Sequence, residues 1–212
     1  MGMPRSSDAI ILRALHHIGA LPLAELERRF TKPAVDYVRN RKLIAPTPDE
    51  GGGQLYRPTG AGRTRLGLSR SYVNTPHVTT ESFFRQAAHA YLETLGLYYT
   101  WPTSNHPNAH RLGKSQVRRY WNFEENATYY RVLAGMPHTP VPTVKRTGLE
   151  HPELLWLFAE SPLPYRSLDH TDFWGREQLR ITTWAEVRPT LSRSMLNTFD
   201  RLHKLKLGLT PA

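Results

Sequence analysis

Residues 54–68 read QLYRPTGAGRTRLGL, and two folds compete for their glycines. A dinucleotide-binding loop follows a buried apolar strand and spaces its glycines as Gly-x-Gly-x-x-Gly. It then opens a helix with small packing residues, and an acidic residue comes about 20 positions later. Here the strand-like part is half polar and ends at Pro58, and the third glycine falls late, at Gly67. Arg63 and Arg65 stand where small residues belong. The cofactor reading fails, and no cofactor is expected. The alternative places these glycines where the second strand of a hairpin turns into a helix.

The residues upstream supply the rest of such a unit. Ser7 can cap a helix over 8–18, in which Ile11, Leu12, Leu15 and Ile18 recur at helical spacing, and Gly19 stops it. Pro22 opens a second helix burying Leu23, Leu26 and Phe30. Thr31 caps a third, KPAVDYVRNRK, with Pro33 tolerated in its first turn. Residues 43–45 predict a short strand, PTPDEGGG a flexible turn, QLYRP a returning strand, and Thr59 the start of a further helix.

This order over residues 5–70 resembles the winged helix-turn-helix DNA-binding domain. Three groups carry the likeness: the short second helix ending in Phe30 and Thr31, the Lys-Leu-Ile exit of the third helix, and YRPTGAGRTRLG. In the last, Tyr56, Thr59, Gly62 and Leu66 echo a wing-exit pattern, Tyr-x-x-Thr-x-x-Gly-x-x-x-Leu. Small bacterial transcription regulators and plasmid replication-relaxation proteins both open in this way, and the sequence does not choose between them.

The resemblance implies that the third helix enters the major groove. Projected at about 100° per residue, Ala34, Val35 and Val38 face the core. Lys32, Pro33, Asp36, Tyr37 and Asn40 then face away, with Arg39 and Arg41 on the flanks. Asn40 can pair bidentately with adenine and Asp36 can accept from cytosine N4. Thr31 and Tyr37 join this surface, and Lys32, Arg39, Arg41 and Lys42 would hold phosphates. Gly51–Gly53 would let the wing tip follow the minor groove, with Arg57, Arg63 and Arg65 near the backbone. A second nucleic-acid contact is KSQVRRYWNF, through Lys114, Arg118, Arg119, Tyr120 and Trp121. A strand with one buried aromatic face and one wet basic face explains that alternation equally well.

Beyond Arg70, residues 71–80 read as a linker. Thr80 caps a helix over 81–95 with a wide apolar stripe through Phe83, Phe84, Ala87, Ala88, Tyr91, Leu92 and Leu95, ended by Gly96. LYYTW, VRRYWNF and ATYYRVLAG predict strands, and residues 102–116 a long polar loop. HTPVPTVKRTG predicts an extended segment, and PELLWLFAE fits helix or strand. SRSMLNTFDRLHKLK predicts a final helix ended by Gly208. The expected fold class is α+β: a winged helix (1–70), a linker (71–80) and a mixed α/β domain of aromatic strands and amphipathic helices (81–212). That last domain is expected to dimerise or to bind a protein partner, through the 83–95 stripe or the final helix.

Charge points the same way. The chain of 212 residues carries a net +10. Residues 1–70 contribute 12 basic and 6 acidic side chains, 71–149 contribute 8 and 4, and 150–212 contribute 8 and 8. A basic first two-thirds suits a polyanionic partner. Absence of cysteine excludes disulfides, thiolate zinc sites and a Cys nucleophile. No apolar run approaches the ~18–20 residues of a membrane span, and MGMPRSSDAI lacks a signal-peptide core. A cytoplasmic protein without membrane contact is expected.

Catalytic patterns are thin. His106 and His110 lie in a loop, Asp169, His170 and Asp172 read as readily as caps, and no metal is expected. Gly113-Lys114-Ser115 lacks the earlier glycine of a phosphate loop, and no Gly-x-Ser-x-Gly occurs. A metal-dependent nuclease of the replication-relaxation type would need Glu186-Val-Arg188 on a strand with Asp169 and Asp172 upstream. The expectation is a non-catalytic, sequence-specific double-stranded DNA-binding protein, acting in transcription regulation or plasmid or phage replication. The alternatives are that nuclease and a winged-helix module or inhibitor that binds protein.

Overall fold

The computed structural model describes residues 7–68, 75–100, 122–125, 128–134, 139–144, 154–168 and 179–209, and the chain is α+β. It divides into two compact units, Met1–Ala87 with Leu191–Ala212, and Ala88–Thr190. This differs from a boundary at 70–81: the long middle helix runs through the division, and the final helix joins the first unit.

In the first unit, α1 (Ser7–Arg13) continues into a π-helical turn, Ala14–Ile18, closed where the Gly19 N–H donates to the Ala14 carbonyl at 3.3 Å. Ile11, Leu12 and Leu15 go to the core as their spacing predicts. α2 (Leu23–Arg29) follows Pro22, and α3 (Lys32–Asn40) follows Thr31. β1 (Ile44–Pro48) pairs antiparallel with β2 (Gln54–Pro58). The residues expected as a flexible turn are therefore strand up to Pro48, and only 49–53 turn. Leu21, between the π-helical turn and α2, bridges Tyr56 on the other side of β2: the Tyr56 N–H donates to the Leu21 carbonyl at 2.8 Å. Pro46 and Pro48 thus fall on the outer strand, where a missing N–H costs least.

α4 (Gly60–Arg65) is capped by Thr59, whose hydroxyl accepts from the Gly62 N–H at 3.1 Å. A Cβ at Gly62 would overlap the Leu43 carbonyl, so this glycine of the opening stretch lets α4 lie against the start of the hairpin. α5 (Pro76–Thr94) starts five residues before the predicted Glu81, because Thr75 precedes it as a cap and Pro76 suits a first helical position. Phe84 meets Phe199 edge-on at 5.6 Å.

The second unit holds a five-stranded sheet in the order β3 (Tyr98–Thr100), β4 (Asn122–Glu125), β5 (Thr128–Ala134), β6 (Leu154–Ala159), β7 (Leu179–Thr183). The first three strands are antiparallel neighbours, whereas β5, β6 and β7 run parallel. PELLWLFAE, ambiguous in sequence, is the strand β6 between two parallel partners, buried on both faces. On one face Phe158 packs with Tyr91, Trp156 and Trp184. On the other, Leu155, Leu157 and Ala159 join Val144, Tyr165 and Leu168. HTPVPTVKRTG contains a helical turn over 141–144 in place of a purely extended segment. α6 (Trp184–Val187) is short, and α7 (Arg193–Lys206), capped by Ser192, returns to the first unit.

Most of the two surfaces expected to dimerise is core instead, with Leu95 and Leu205 left exposed near their ends. Phe83, Phe84, Ala87, Ala88 and Leu92 are fully buried, as are Met195, Phe199 and Leu202 of α7. The predicted loop 102–116 and the 114–121 stretch lie outside the described residues, as do Asp169, His170 and Asp172.

Candidate nucleic-acid interface

α3 follows the projection in part: Ala34, expected to face the core, is only half-buried. Val35 and Val38 are fully buried, whereas Lys32, Pro33 and Asn40 are exposed and Asp36, Tyr37 and Arg39 are half-buried. Thr31 is exposed in an extended conformation at the N-cap without a side-chain capping bond. Arg41 and Lys42 follow in the turn, both exposed, Lys42 with a left-handed φ of 53°. Among the described residues, the side chains of Lys32, Asn40 and Lys42 have no partner. Arg41 lies over the Tyr37 ring at 5.5 Å and Arg39 over Tyr56 at 5.7 Å, which preorganises both guanidiniums. Asp36 accepts from Arg39 at 3.3 Å, so one of its oxygens is already engaged. That bond competes with the cytosine contact expected of Asp36.

The turn between β1 and β2 is held down and does not project. The Asp49 carboxylate, fully shielded, accepts from the Gly51 and Gly53 N–H groups at 2.9 and 3.0 Å and from both terminal nitrogens of Arg201 at 2.6 Å. Burial would raise the Asp49 pKa, but the Arg201 bonds and the two amides hold it below the ordinary carboxylate value. Glu50 pairs with Lys206 at 2.7 Å and lies 3.5 Å from His77, and its N–H donates to Thr80. Gly51 and Gly53 therefore have a different task from the expected minor-groove tracking. A Cβ on either would overlap the Arg201 guanidinium, so they are small to let α7 reach Asp49.

Two of the predicted wing arginines point inward. Arg57 is 2% and Arg63 8% exposed, which removes both from a DNA-facing role. With Arg85 and His16 they form an internal cationic cluster in the first unit. Arg63 donates to His16 Nδ1 at 3.2 Å, Arg57 reaches the Thr79 hydroxyl at 3.5 Å, and Arg85 donates to Ser82 at 2.9 Å. Burial, then the charges of Arg63, Arg57 and Arg85, push the His16 pKa down to about 4. His16 is neutral at pH 7 and can accept the Arg63 proton. Burial and the neighbouring Arg85 and Arg63 likewise lower Arg57 to about 10. Arg65 stays at the surface and pairs with Asp8 at 3.1 Å.

Glu25 was missed in the sequence because its helical position gave no sign of burial. It is fully buried and accepts from Arg28 at 2.9 and 2.7 Å, Arg29 at 2.8 Å, Ser192 at 2.6 Å and Ser194 at 3.2 Å. Burial opposes the charge, but the bonds from Arg28, Ser192 and Arg29 bring its pKa down to about 2. This fastens α2 to α7. Glu186, expected on a strand in the nuclease alternative, sits in the first turn of α6. Its carboxylate accepts the Thr183 N–H at 2.7 Å in a capping box, a structural use. Among the described residues no cluster of three or more His, Asp or Glu side chains could hold a metal, and no helix is long and apolar enough to cross a membrane.

Comparison with protein-family models, with curated proteins and with solved structures finds no match for this chain.

Proposed function

We propose that the first unit is a winged helix-turn-helix that binds duplex DNA sequence-specifically and without catalysis, in transcription regulation or in plasmid or phage replication. One observation carries the reading. α3 buries Val35 and Val38 and turns outward an amide and a run of cations, Lys32, Asn40, Arg41 and Lys42, with no carboxylate paired to them among the described residues. The Leu21–Tyr56 bridge and the β1–β2 pairing support the same reading, because they hold the three helices against a short hairpin. The base-reading group is Asn40 and the phosphate contacts are Lys32, Arg39, Arg41 and Lys42. Arg65 can join them only by leaving Asp8.

The test is duplex binding after selection from a random pool. Asn40→Ala alters the preferred sequence, whereas Arg41→Ala weakens binding to all sequences alike. Unchanged affinity and preference in both variants at moderate salt would remove α3 from the interface.

A further inference from the structure

Resting on the DNA-binding reading, we infer that Asp36 and Tyr56 are positioning residues for Arg39, held so that its phosphate contact sets the register in which Asn40 meets the bases. The hairpin thereby bears on sequence preference through a side chain of α3, without a base contact of its own.

Two different elements hold Arg39 on two sides. Three positions earlier on the same face of α3, Asp36 accepts from its Nη1 at 3.3 Å. From β2, the Tyr56 ring lies under the guanidinium carbon, 5.7 Å from it to the centroid. Tyr56 is itself fixed at the backbone. Its N–H donates to the Leu21 carbonyl at 2.8 Å, its carbonyl accepts from the Leu21 N–H at 3.4 Å, and on the other side it is paired with Pro46 of β1. The Arg39 side chain is still 37% exposed. A guanidinium has five N–H donors and Asp36 takes one, so donors remain for a phosphate with both supports in place.

The other cations of this surface are held less. Arg41 lies over Tyr37, a ring of its own helix, at 5.5 Å, and Lys32 and Lys42 are exposed on flexible stems. A flexible cation meets a phosphate in many dockings of the helix. A fixed one accepts only the docking that brings a phosphate to it, and phosphate contacts of that kind set register and orientation. Asp36 fits this task better than the cytosine contact, because its pairing with Arg39 balances a carboxylate that would otherwise repel phosphates.

The readout is the ratio of affinities for the selected and an unrelated duplex. Tyr56→Leu removes the ring and lowers that ratio by about 2- to 5-fold, the worth of an exposed cation–π contact. Its log K against log salt keeps its slope, since no cation is lost. Tyr56→Phe keeps the ring and the ratio. Arg39→Lys keeps the charge but not the planar group, so it lowers the ratio and spares the slope. It leaves the hairpin untouched and decides alone should Tyr56→Leu fail to fold. Asp36→Asn lowers the ratio as well, and neither Asp36→Asn nor Tyr56→Leu lowers it further once Arg39 is replaced by alanine. An unchanged ratio in Arg39→Lys, or in a folded Tyr56→Leu, overturns the inference. So does a loss that persists in the Arg39→Ala background, which for Asp36→Asn would mean direct base reading. If Asn40→Ala still alters preference, the α3 reading survives either of those results. Absence of any duplex binding by the unaltered protein overturns both.

Discussion

Arg201→Ala tests whether the hairpin turn is held by α7. The substitution leaves the shielded Asp49 carboxylate without two bonds of 2.6 Å, retaining only the Gly51 and Gly53 amides at 2.9 and 3.0 Å. Removing one partner of a buried ion pair costs about 3–5 kcal/mol. The Arg201 side chain is 35% exposed, so water replaces part of the loss and the expected cost is about 2–3 kcal/mol. At a urea dependence of about 2 kcal/mol per M, the midpoint falls by about 1 M or slightly more. Far-UV circular dichroism is the suitable probe. Gly51→Ala makes the test sharper. Its Cβ would meet the far end of the Arg201 guanidinium, so alone it costs less than Arg201→Ala and more than it does added to Arg201→Ala, where it costs under about 0.5 kcal/mol. A midpoint shift below about 0.2 M for Arg201→Ala, or full additivity of the two changes, would refute the latch.

Three further outcomes follow from the buried charges and the capping carboxylate. His16 has an ordinary pKa of 6.5 when unfolded and about 4 when folded, so the unfolded chain binds the proton first. Stability is complete above pH 6.5 and declines toward pH 4 by about 2 kcal/mol after allowance for partial exposure; His16→Gln flattens that decline in urea melts taken across the range. Glu25 acts in the same sense at lower pH, its carboxylate contributing stability above pH 4.5 that is lost as pH falls toward 2. Glu25→Gln costs about 3 kcal/mol at pH 7 and weakens the acid transition, because Arg28 and Arg29 lose their carboxylate. Supercoiled plasmid incubated with the protein and magnesium stays supercoiled on a gel, since Glu186 is committed to capping α6; nicked product would revive the nuclease alternative.

Local pattern was legible in the sequence wherever one element decides its own shape. The helical spacing of Val35 and Val38 gave the inward face of α3, Thr59 marked the start of α4, and Ser192 marked that of α7. Burial of Arg57 was legible in principle: it stands two residues from Leu55 on β2, and a strand's period of two sends both to the core. Its arginine identity argued louder than its position. The Asp49–Arg201 and Glu25–Ser192 contacts join residues 152 and 167 positions apart. No periodicity encodes such pairings, so the sequence alone groups the final helix with the residues before it and gives the turn's glycines a minor-groove task, whereas the fold joins that helix to the first unit and uses the glycines to admit Arg201. Ambiguity in PELLWLFAE came from burial on both faces, which erases the alternation that marks a half-buried strand.

The central claim is most directly tested by titrating the unaltered protein against its selected duplex across 50–200 mM salt. Phosphate contacts from Lys32, Arg39, Arg41 and Lys42 predict a straight line of log K against log salt with a slope of about −3.6, steeper by about 0.9 for each further phosphate held. A slope near zero, or no preference for the selected duplex over an unrelated one, would contradict the account.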